Sequence, residues 1–236
     1  LTYCDAIAGL GDWPGLERIL AGEKLPLPDW LLELYRARVA AELKNDREAG
    51  VHWTQAQTYA APIPEALIHL GDYAEKVGEL GEAAKAYRRL LRFDRFTRKA
   101  YVCLIRVYER KSDTTELRRI MEDMVKAYPD DPAPQNDLAY LELLLGVNVE
   151  NARQTAQKLV EKYPDLIAYR TTLALANLRR KDYPGARQAY EKSTLVWEQA
   201  LPAWQAVYVA VVGQLGDTKL ARKLAKTIPQ ARLKPE

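Results

Sequence analysis

Seven small or apolar residues recur along the chain at nearly constant intervals of 33 to 35 positions. They are Leu16, Ala49, Ala83, Leu117, Ala152, Ala186 and Ala221. A second series with the same period consists of Leu70, Leu104, Leu138, Leu173 and Val207. A repeat of this length holds two helices, and it cannot bury its apolar face without a neighbouring repeat. The sequence therefore predicts an all-α fold, a solenoid of about seven stacked antiparallel helix pairs.

Prolines and turn signals divide the chain into seven predicted pairs. A proline is tolerated in the first turn of a helix, where its missing amide proton would have no intrahelical acceptor. Such prolines are Pro14, Pro28, Pro64, Pro132, Pro184 and Pro202. Turn signals within the pairs lie at residues 10–12, 44–46, 80–82, 111–113, 145–146, 181–182 and 215–217. The pairs are then roughly 1–25, 26–62, 63–97, 98–131, 132–166, 167–200 and 201–230.

The unbroken period predicts a single elongated domain over residues 1–236. The chain starts without Met and ends without a polar closing helix, so we expect it to be a piece of a longer protein. The helix predicted at 218–228, followed by Pro229, is a weak cap for the last repeat. An uncapped repeat exposes an apolar face, which leaves weak self-association through the end repeats open.

The charge balance does not indicate a nucleic-acid or membrane partner. Thirty-five basic and 32 acidic residues leave a net charge of +3. Basic residues cluster at 88–99, but Asp94, Glu82 and Glu109 interrupt them, whereas phosphate binding needs a continuous basic surface. The apolar run at 203–212 is too short for a membrane span, which takes about 20 residues.

The residue types that carry catalysis or bind metals are scarce. His52 and His69 fall in different predicted repeats without metal-ligand spacing, and His69 is expected at the surface. Cys4 and Cys103 also fall in different repeats, so we expect both to be buried as small hydrophobic residues and not joined by a disulfide. The sequence predicts no enzyme, no cofactor and no metal site.

Several units carry the residue order of a known repeat. The clearest unit, at 64–97, has Leu67, Leu70, Gly71, Ala83 and Tyr87, with Arg95 where a proline is usual. The next unit, at 98–131, has Tyr101, Leu104, Tyr108 and Pro129, but Ile105 and Leu117 replace two small residues. The chain resembles the tetratricopeptide repeat family in this order and in its 34-residue period. The resemblance implies a right-handed superhelix whose concave groove, lined by the first helix of each pair, binds peptides or partner proteins without catalysis.

Groove positions are extrapolated from the second series, as the residues two before and two after each member. They are Ile68 and Asp72, Val102 and Arg106, Asn136 and Tyr140, Thr171 and Leu175, and Gln205 and Val209. From these we predict a peptide-binding groove formed by Asp72, Arg106, Asn136, Tyr140, Thr171 and Leu175. The lining is charged up to residue 110 and mostly uncharged from 136 onward, which suits a helix or extended segment with one charged and one apolar end.

Two alternatives to groove binding stay open at the level of sequence. Helix packing can bury the apolar residues Leu143, Leu144, Leu178 and Val212, or residues outside this chain can cover them.

Members of the family that clamp a peptide carboxylate use Lys, Asn and Arg, whereas Ile68, Asp72 and Val102 stand at the corresponding positions here. This difference argues against recognition of the C-terminal peptide of a chaperone.

The first functional hypothesis is a non-catalytic protein-protein interaction scaffold that binds a peptide or helix of a partner protein. The alternative is a structural spacer between other domains of a larger protein, with no groove ligand. A third class, an enzyme accessory or nucleic-acid binder, has the least support.

Overall fold

The computed structural model of the chain describes residues 3–22, 25–191 and 195–229. These residues form fourteen α-helices and no strand, which confirms the all-α prediction. Two short 3-10 segments, Asp94–Phe96 and Trp197–Gln199, precede the seventh and thirteenth helices. The chain divides into two compact units, residues 1–107 and 108–236. The single domain expected over the whole chain stays a prediction.

The helices follow one another with short connections. The first seven are α1 Tyr3–Leu10, α2 Trp13–Gly22, α3 Asp29–Glu42, α4 Asp46–Ala60, α5 Pro64–Val77, α6 Leu80–Leu90 and α7 Thr97–Arg110. The others are α8 Thr114–Ala127, α9 Pro132–Leu145, α10 Val149–Lys162, α11 Ile167–Arg179, α12 Tyr183–Gln188, α13 Pro202–Gln214 and α14 Thr218–Ala225. The boundary between the two units lies within α7.

In the first unit, α1 packs against α2, α3 against α4, and α5 against α6. The pairs are connected by further contacts of α2 with α3 and of α4 with α5. The first helices of the second and third pairs, α3 and α5, also touch each other directly. Neighbouring pairs are therefore stacked within this unit.

The second unit repeats the arrangement. α9 packs against α10, α11 against α12, and α13 against α14. The first helices α9, α11 and α13 also contact one another in sequence order, while α8 packs against α9. A row of adjacent first helices is thus present in this unit.

The periodic residues of the sequence lie in the core of their units. In the first series all members are buried except Ala49, which is partly buried. In the second series Leu70 and Leu104 are completely buried, and only Leu138 keeps partial exposure. The period therefore records the burial of the same helix positions in successive pairs, as the sequence predicted.

The turn inside each pair has a residue in the left-handed conformation at an equivalent position, and the turn before α10 has a second one, Asn148. The residues at the equivalent position are Gly11, Lys44, Gly78, Ser112, Gly146, Lys181 and Gly216. Their spacing is again 33 to 35 positions. In six of the turns the next residue donates its backbone N–H to the carbonyl five residues back, as Glu79 does to Ala74 at 2.8 Å. This is the Schellman arrangement, which satisfies carbonyls at the end of a helix.

In five of these turns the residue after the left-handed position caps the second helix. Asp12, Asn45, Asp113, Asp182 and Asp217 each accept a hydrogen bond from the backbone N–H three residues later. A side-chain acceptor at this place satisfies one of the free amides at a helix start. A short polar turn thus ends one helix and begins the next.

Three details differ from the sequence prediction. The third turn lies at Gly78 and not at residues 80–82, because α6 already begins at Leu80. α12, the second helix of the sixth pair, ends at Gln188, well before the predicted end of that pair at residue 200. The last helix ends at Ala225 and not at Ile228, although the Ile228 side chain is buried.

We expect Gly78→Ala to lower the free energy of unfolding by about 1 kcal/mol, because its φ of 89° suits glycine and strains a residue with a Cβ. Gly81→Ala is the control, since Gly81 lies in helix α6 and its added Cβ meets nothing within 4 Å. Urea unfolding monitored by circular dichroism measures both changes. Equal effects of the two substitutions would contradict the strain argument.

Candidate functional site

The first helices carry two rows of predicted groove residues with different exposures. The first row lies two residues before each member of the second periodic series. In this row Ile68, Asn136, Thr171 and Gln205 are buried, and only Val102 is exposed. In the second row, two residues after each member, Asp72 and Arg106 are exposed, while Tyr140, Leu175 and Val209 are partly buried. Apart from Val102, the accessible side chains therefore belong to the second row.

This result corrects two of the six predicted contact residues. Thr171 has no exposed surface and Asn136 has 6%. Thr171 donates its hydroxyl to the carbonyl of Ile167 at 2.8 Å, and it lies 3.3 Å from the hydroxyl of Tyr190. Both residues fill the interior of the second unit and offer no contact surface. Of the apolar residues for which burial was the alternative, Leu143 is completely buried, and Leu144, Leu178 and Val212 are partly buried.

In the first unit, the structure brings Asp72 and Arg106 together around a buried carboxylate. Arg106 on α7 donates from Nε to both carboxylate oxygens of Glu75 on α5, at 3.0 and 3.1 Å. Its Nη2 lies 3.5 Å from Asp72 Oδ1. The Glu75 side chain is 9% exposed, and that of Arg106 is 48% exposed. Arg106 thus covers Glu75 and links two successive first helices.

Tyr87 on α6 completes this cluster. Its hydroxyl lies 2.7 Å from Asp72 Oδ1 and 2.9 Å from Glu75 Oε1, and it accepts from Arg106 Nη2 at 3.3 Å. Burial and the two carboxylates raise the pKa of Tyr87 well above its ordinary value, so the hydroxyl stays protonated. The hydrogen bond to Glu75 likewise raises the pKa of Arg106, which stays charged. Glu75 belongs to the charged part of the predicted groove lining but not to the six predicted contact residues, and the structure buries it, whereas an acidic residue in a helix usually faces solvent.

Gly71 makes room for the Tyr87 ring. A Cβ added to Gly71 would overlap the ring and come within 2.5 Å of its Cζ. The two residues lie on the facing helices α5 and α6, which contact each other. The small residue at this position therefore allows close approach of the ring, which carries the hydroxyl to Asp72 and Glu75.

In the second unit, the accessible row is apolar and lies beside aromatic residues. Tyr140 and Leu175 pack against a core cluster that includes Leu173, Ala174 and Val207. Burial raises the pKa of Tyr140 to about 12. Within the described part of the chain, the Tyr140 hydroxyl makes no hydrogen bond. The hydroxyl of a tyrosine whose ring is mostly buried usually has a hydrogen-bond partner. The Tyr140 hydroxyl is therefore available to a hydrogen-bonding group of another molecule.

The same unit contains two buried amide oxygens without a donor. Among the described residues, Asn136 Oδ1 on α9 and Gln205 Oε1 on α13 have no hydrogen-bond partner. The nitrogen atoms of both side chains are satisfied, by Asp137 at 3.2 Å and by the carbonyl of Trp197 at 2.7 Å. Unsatisfied buried acceptors are costly, and they occur here at equivalent positions of two first helices. The hydrogen bonding of these two side chains is therefore less complete than that of polar groups in an ordinary protein core.

The two histidines have separate environments. His69 is exposed and stacks on Trp30, with ring centroids 5.6 Å apart, in agreement with its expected surface position. His52 Nδ1 lies 2.6 Å from Oε2 of the buried Glu33, which also accepts from Arg36. No group of three or more potential metal ligands occurs in residues 3–22, 25–191 and 195–229. Across the same described residues, no helix is long and apolar enough to span a membrane.

Both cysteines are free and buried, as expected, with 2% exposure for Cys4 and 4% for Cys103. Burial raises the pKa of each thiol, so less of the reactive thiolate is present near neutral pH. We expect iodoacetamide at pH 8 to alkylate the folded chain about tenfold more slowly than the urea-unfolded chain, as followed by mass spectrometry. Equal alkylation rates in the folded and the unfolded chain at either cysteine would contradict the burial of that cysteine.

Comparisons with known proteins support the fold. No protein-family model matches the sequence, and no curated protein matches it. A crystal structure of a tetratricopeptide repeat protein from Parabacteroides merdae aligns with a TM-score of 0.52 at 15% identity, covering 96% of this chain and 90% of that one. The tetratricopeptide repeat domain of P58(IPK) aligns with a TM-score of 0.32 at 14% identity, covering 95% and 62% of the two chains, and carries no weight. With fourteen helices in its described residues and a 34-residue period, this chain has the tetratricopeptide repeat fold.

Proposed function

We propose that the chain is a non-catalytic protein-interaction scaffold whose first helices contact a peptide or helix of a partner protein. The observation that carries the proposal is the Tyr140 hydroxyl, which has no hydrogen-bond partner in the described residues although most of its ring is buried. Tyrosine is enriched in protein interfaces because it combines a large apolar surface with a hydrogen-bonding end. The proposed contacts are Tyr140 and Leu175 in the second unit, and Asp72 and Arg106 in the first.

The two units support different kinds of contact. The first unit offers the exposed ends of Asp72 and Arg106, which already neutralise each other in part at 3.5 Å. The second unit offers Tyr140, Leu175 and Val209, which are apolar or aromatic and partly accessible. A partner segment with apolar anchors and some polar groups fits this chemistry.

Site-specific crosslinking tests the proposal in two steps. A photo-crosslinking residue at Leu175 on α11 captures the partner in cells of the source organism. The control position is Lys158, which is exposed on the second helix α10. We expect a partner peptide that crosslinks at 175 and not at 158. No crosslink, or the same proteins at both positions, would favour the spacer hypothesis.

The captured partner is then titrated against Tyr140→Phe. This change removes only the hydroxyl, which has no partner in the described residues, so we expect unchanged stability and about a fivefold loss of affinity. Tyr59→Phe is the matched control, because Tyr59 is exposed on the second helix α4. Unchanged affinity for Tyr140→Phe would remove Tyr140 from the contact surface.

A further inference from the structure

The first unit has an open cavity separate from the proposed contact residues. Its volume is about 350 Å³, within the range of small-ligand sites. Helices α3, α4 and α5 and the start of α6 line it with several alanines, Gly50 and Val77, and with Trp53, Tyr73, Glu79 and Glu82. Most of these side chains are small or apolar, which leaves room for the body of a ligand.

Two aromatic rings form one wall of the cavity. The ring centroids of Trp53 and Tyr73 lie 6.2 Å apart, with the planes tilted by 45°. The guanidinium of Arg38 lies 5.2 Å from the Tyr73 centroid, so this ring already attracts one cation of the chain. The faces of Trp and Tyr rings stabilise organic cations, including methylated amines.

The charges of the lining have one sign. Glu79 and Glu82 line the cavity, and no lysine, arginine or histidine does. Glu82 is held by hydrogen bonds from Trp53 Nε1 at 3.1 Å, from Gln57 and from Lys85 at 2.6 Å. Burial raises the pKa of Glu82, but these hydrogen bonds outweigh it and keep the pKa below the ordinary value, so the carboxylate is charged.

Glu79 is the carboxylate with free acceptors. It stands at the N-cap of α6 without making a capping hydrogen bond, and its side chain is exposed. It has no ion-pair partner among residues 3–22, 25–191 and 195–229. An ammonium group in the cavity would therefore meet an unneutralised carboxylate beside the two rings.

We propose that this cavity binds an alkylammonium group, a positively charged primary or methylated amine on a short apolar stem. The stem packs on the alanine side chains, and the charged nitrogen lies between the aromatic wall and Glu79. The group can belong to a free amine or to a modified lysine side chain, which share this chemistry. The proposal does not depend on the scaffold function.

The test compares choline with dimethylbutanol, its neutral isostere, by backbone-amide NMR of the full chain. We expect choline to shift the amides around Gly50, Trp53 and Glu79 in a saturable manner, and dimethylbutanol to bind about tenfold more weakly. Equal affinity of the two probes, or no saturable shift with choline, would overturn the proposal. A blocked derivative of trimethyllysine in the same assay separates the two sources, according to whether it or choline binds more tightly.

Gly50→Leu places a bulky side chain in the lining of the cavity. Gly50 lies on the exposed side of α4, and its added Cβ meets nothing within 4 Å. Gly9→Leu on α1 is the matched control, because Gly9 is exposed, also meets nothing within 4 Å and does not line the cavity. We expect Gly50→Leu to abolish choline binding, Glu79→Gln to weaken it about tenfold, and Gly9→Leu to leave it unchanged. Retained binding in Gly50→Leu would place the ligand elsewhere and overturn the proposal.

Discussion

Gly71→Ala is expected to lower the free energy of unfolding by about 3 kcal/mol, the largest effect of any substitution considered for this chain. The added methyl group would overlap the ring of Tyr87, which is completely buried. The ring has to move, and the hydroxyl then loses its contacts at 2.7 Å with Asp72 and 2.9 Å with Glu75. The cost combines overpacking of the core with the loss of hydrogen bonds to charged groups. Urea unfolding followed by circular dichroism measures it.

Gly213→Ala is the control for this prediction. Gly213 also lies within a helix, α13, but its added Cβ would be 3.5 Å from the Cβ of Ala221, an ordinary contact. Alanine has a higher helix propensity than glycine, so this variant should keep or slightly gain stability. A loss below about 1 kcal/mol for Gly71→Ala would mean that the Tyr87 ring adjusts easily and that the close approach is not required.

Arg106→Met is expected to lower the free energy of unfolding by about 2 kcal/mol. The change leaves the Glu75 carboxylate, 9% exposed, without the guanidinium that donates to both of its oxygens. Methionine keeps the apolar stem of the side chain and removes the guanidinium, so the loss reports the missing charge and its hydrogen bonds. The expected loss of unfolding free energy is smaller than for a fully buried ion pair, because about half of the Arg106 side chain is in contact with solvent.

A double-mutant cycle isolates this interaction. Glu75→Gln removes the charge and keeps the shape, and the double variant Glu75→Gln/Arg106→Met leaves no uncompensated carboxylate at position 75. We expect the double variant to be at least about 1 kcal/mol more stable than the sum of the single effects predicts. Additive effects would show that Arg106 does not stabilise Glu75. Arg106→Glu would place a like charge against Glu75 and perturb the unit itself, so it is not suitable for testing partner binding.

The candidate site was only partly predictable from sequence. The period placed Asp72, Arg106, Tyr140 and Leu175 at one equivalent position of successive first helices, and the structure leaves all four at least partly exposed. The same reasoning placed Asn136 and Thr171 one turn earlier, where the structure buries them. The two positions lie about 40° apart around a helix, so a hydrophobic pattern hardly separates them. The neighbouring first helices and Tyr190 decide which position is covered.

The helices and most of the turns could be predicted from the sequence because their signals are local. These signals are glycine at left-handed positions such as Gly78, Asp or Asn at the following helix start, and small residues at a constant spacing. The burial of polar residues, the surroundings of Glu75, and the cavity shared by an aromatic wall and two carboxylates became visible only in the folded chain. These properties depend on side chains brought together from separate helices, and no local pattern specifies the distances between them.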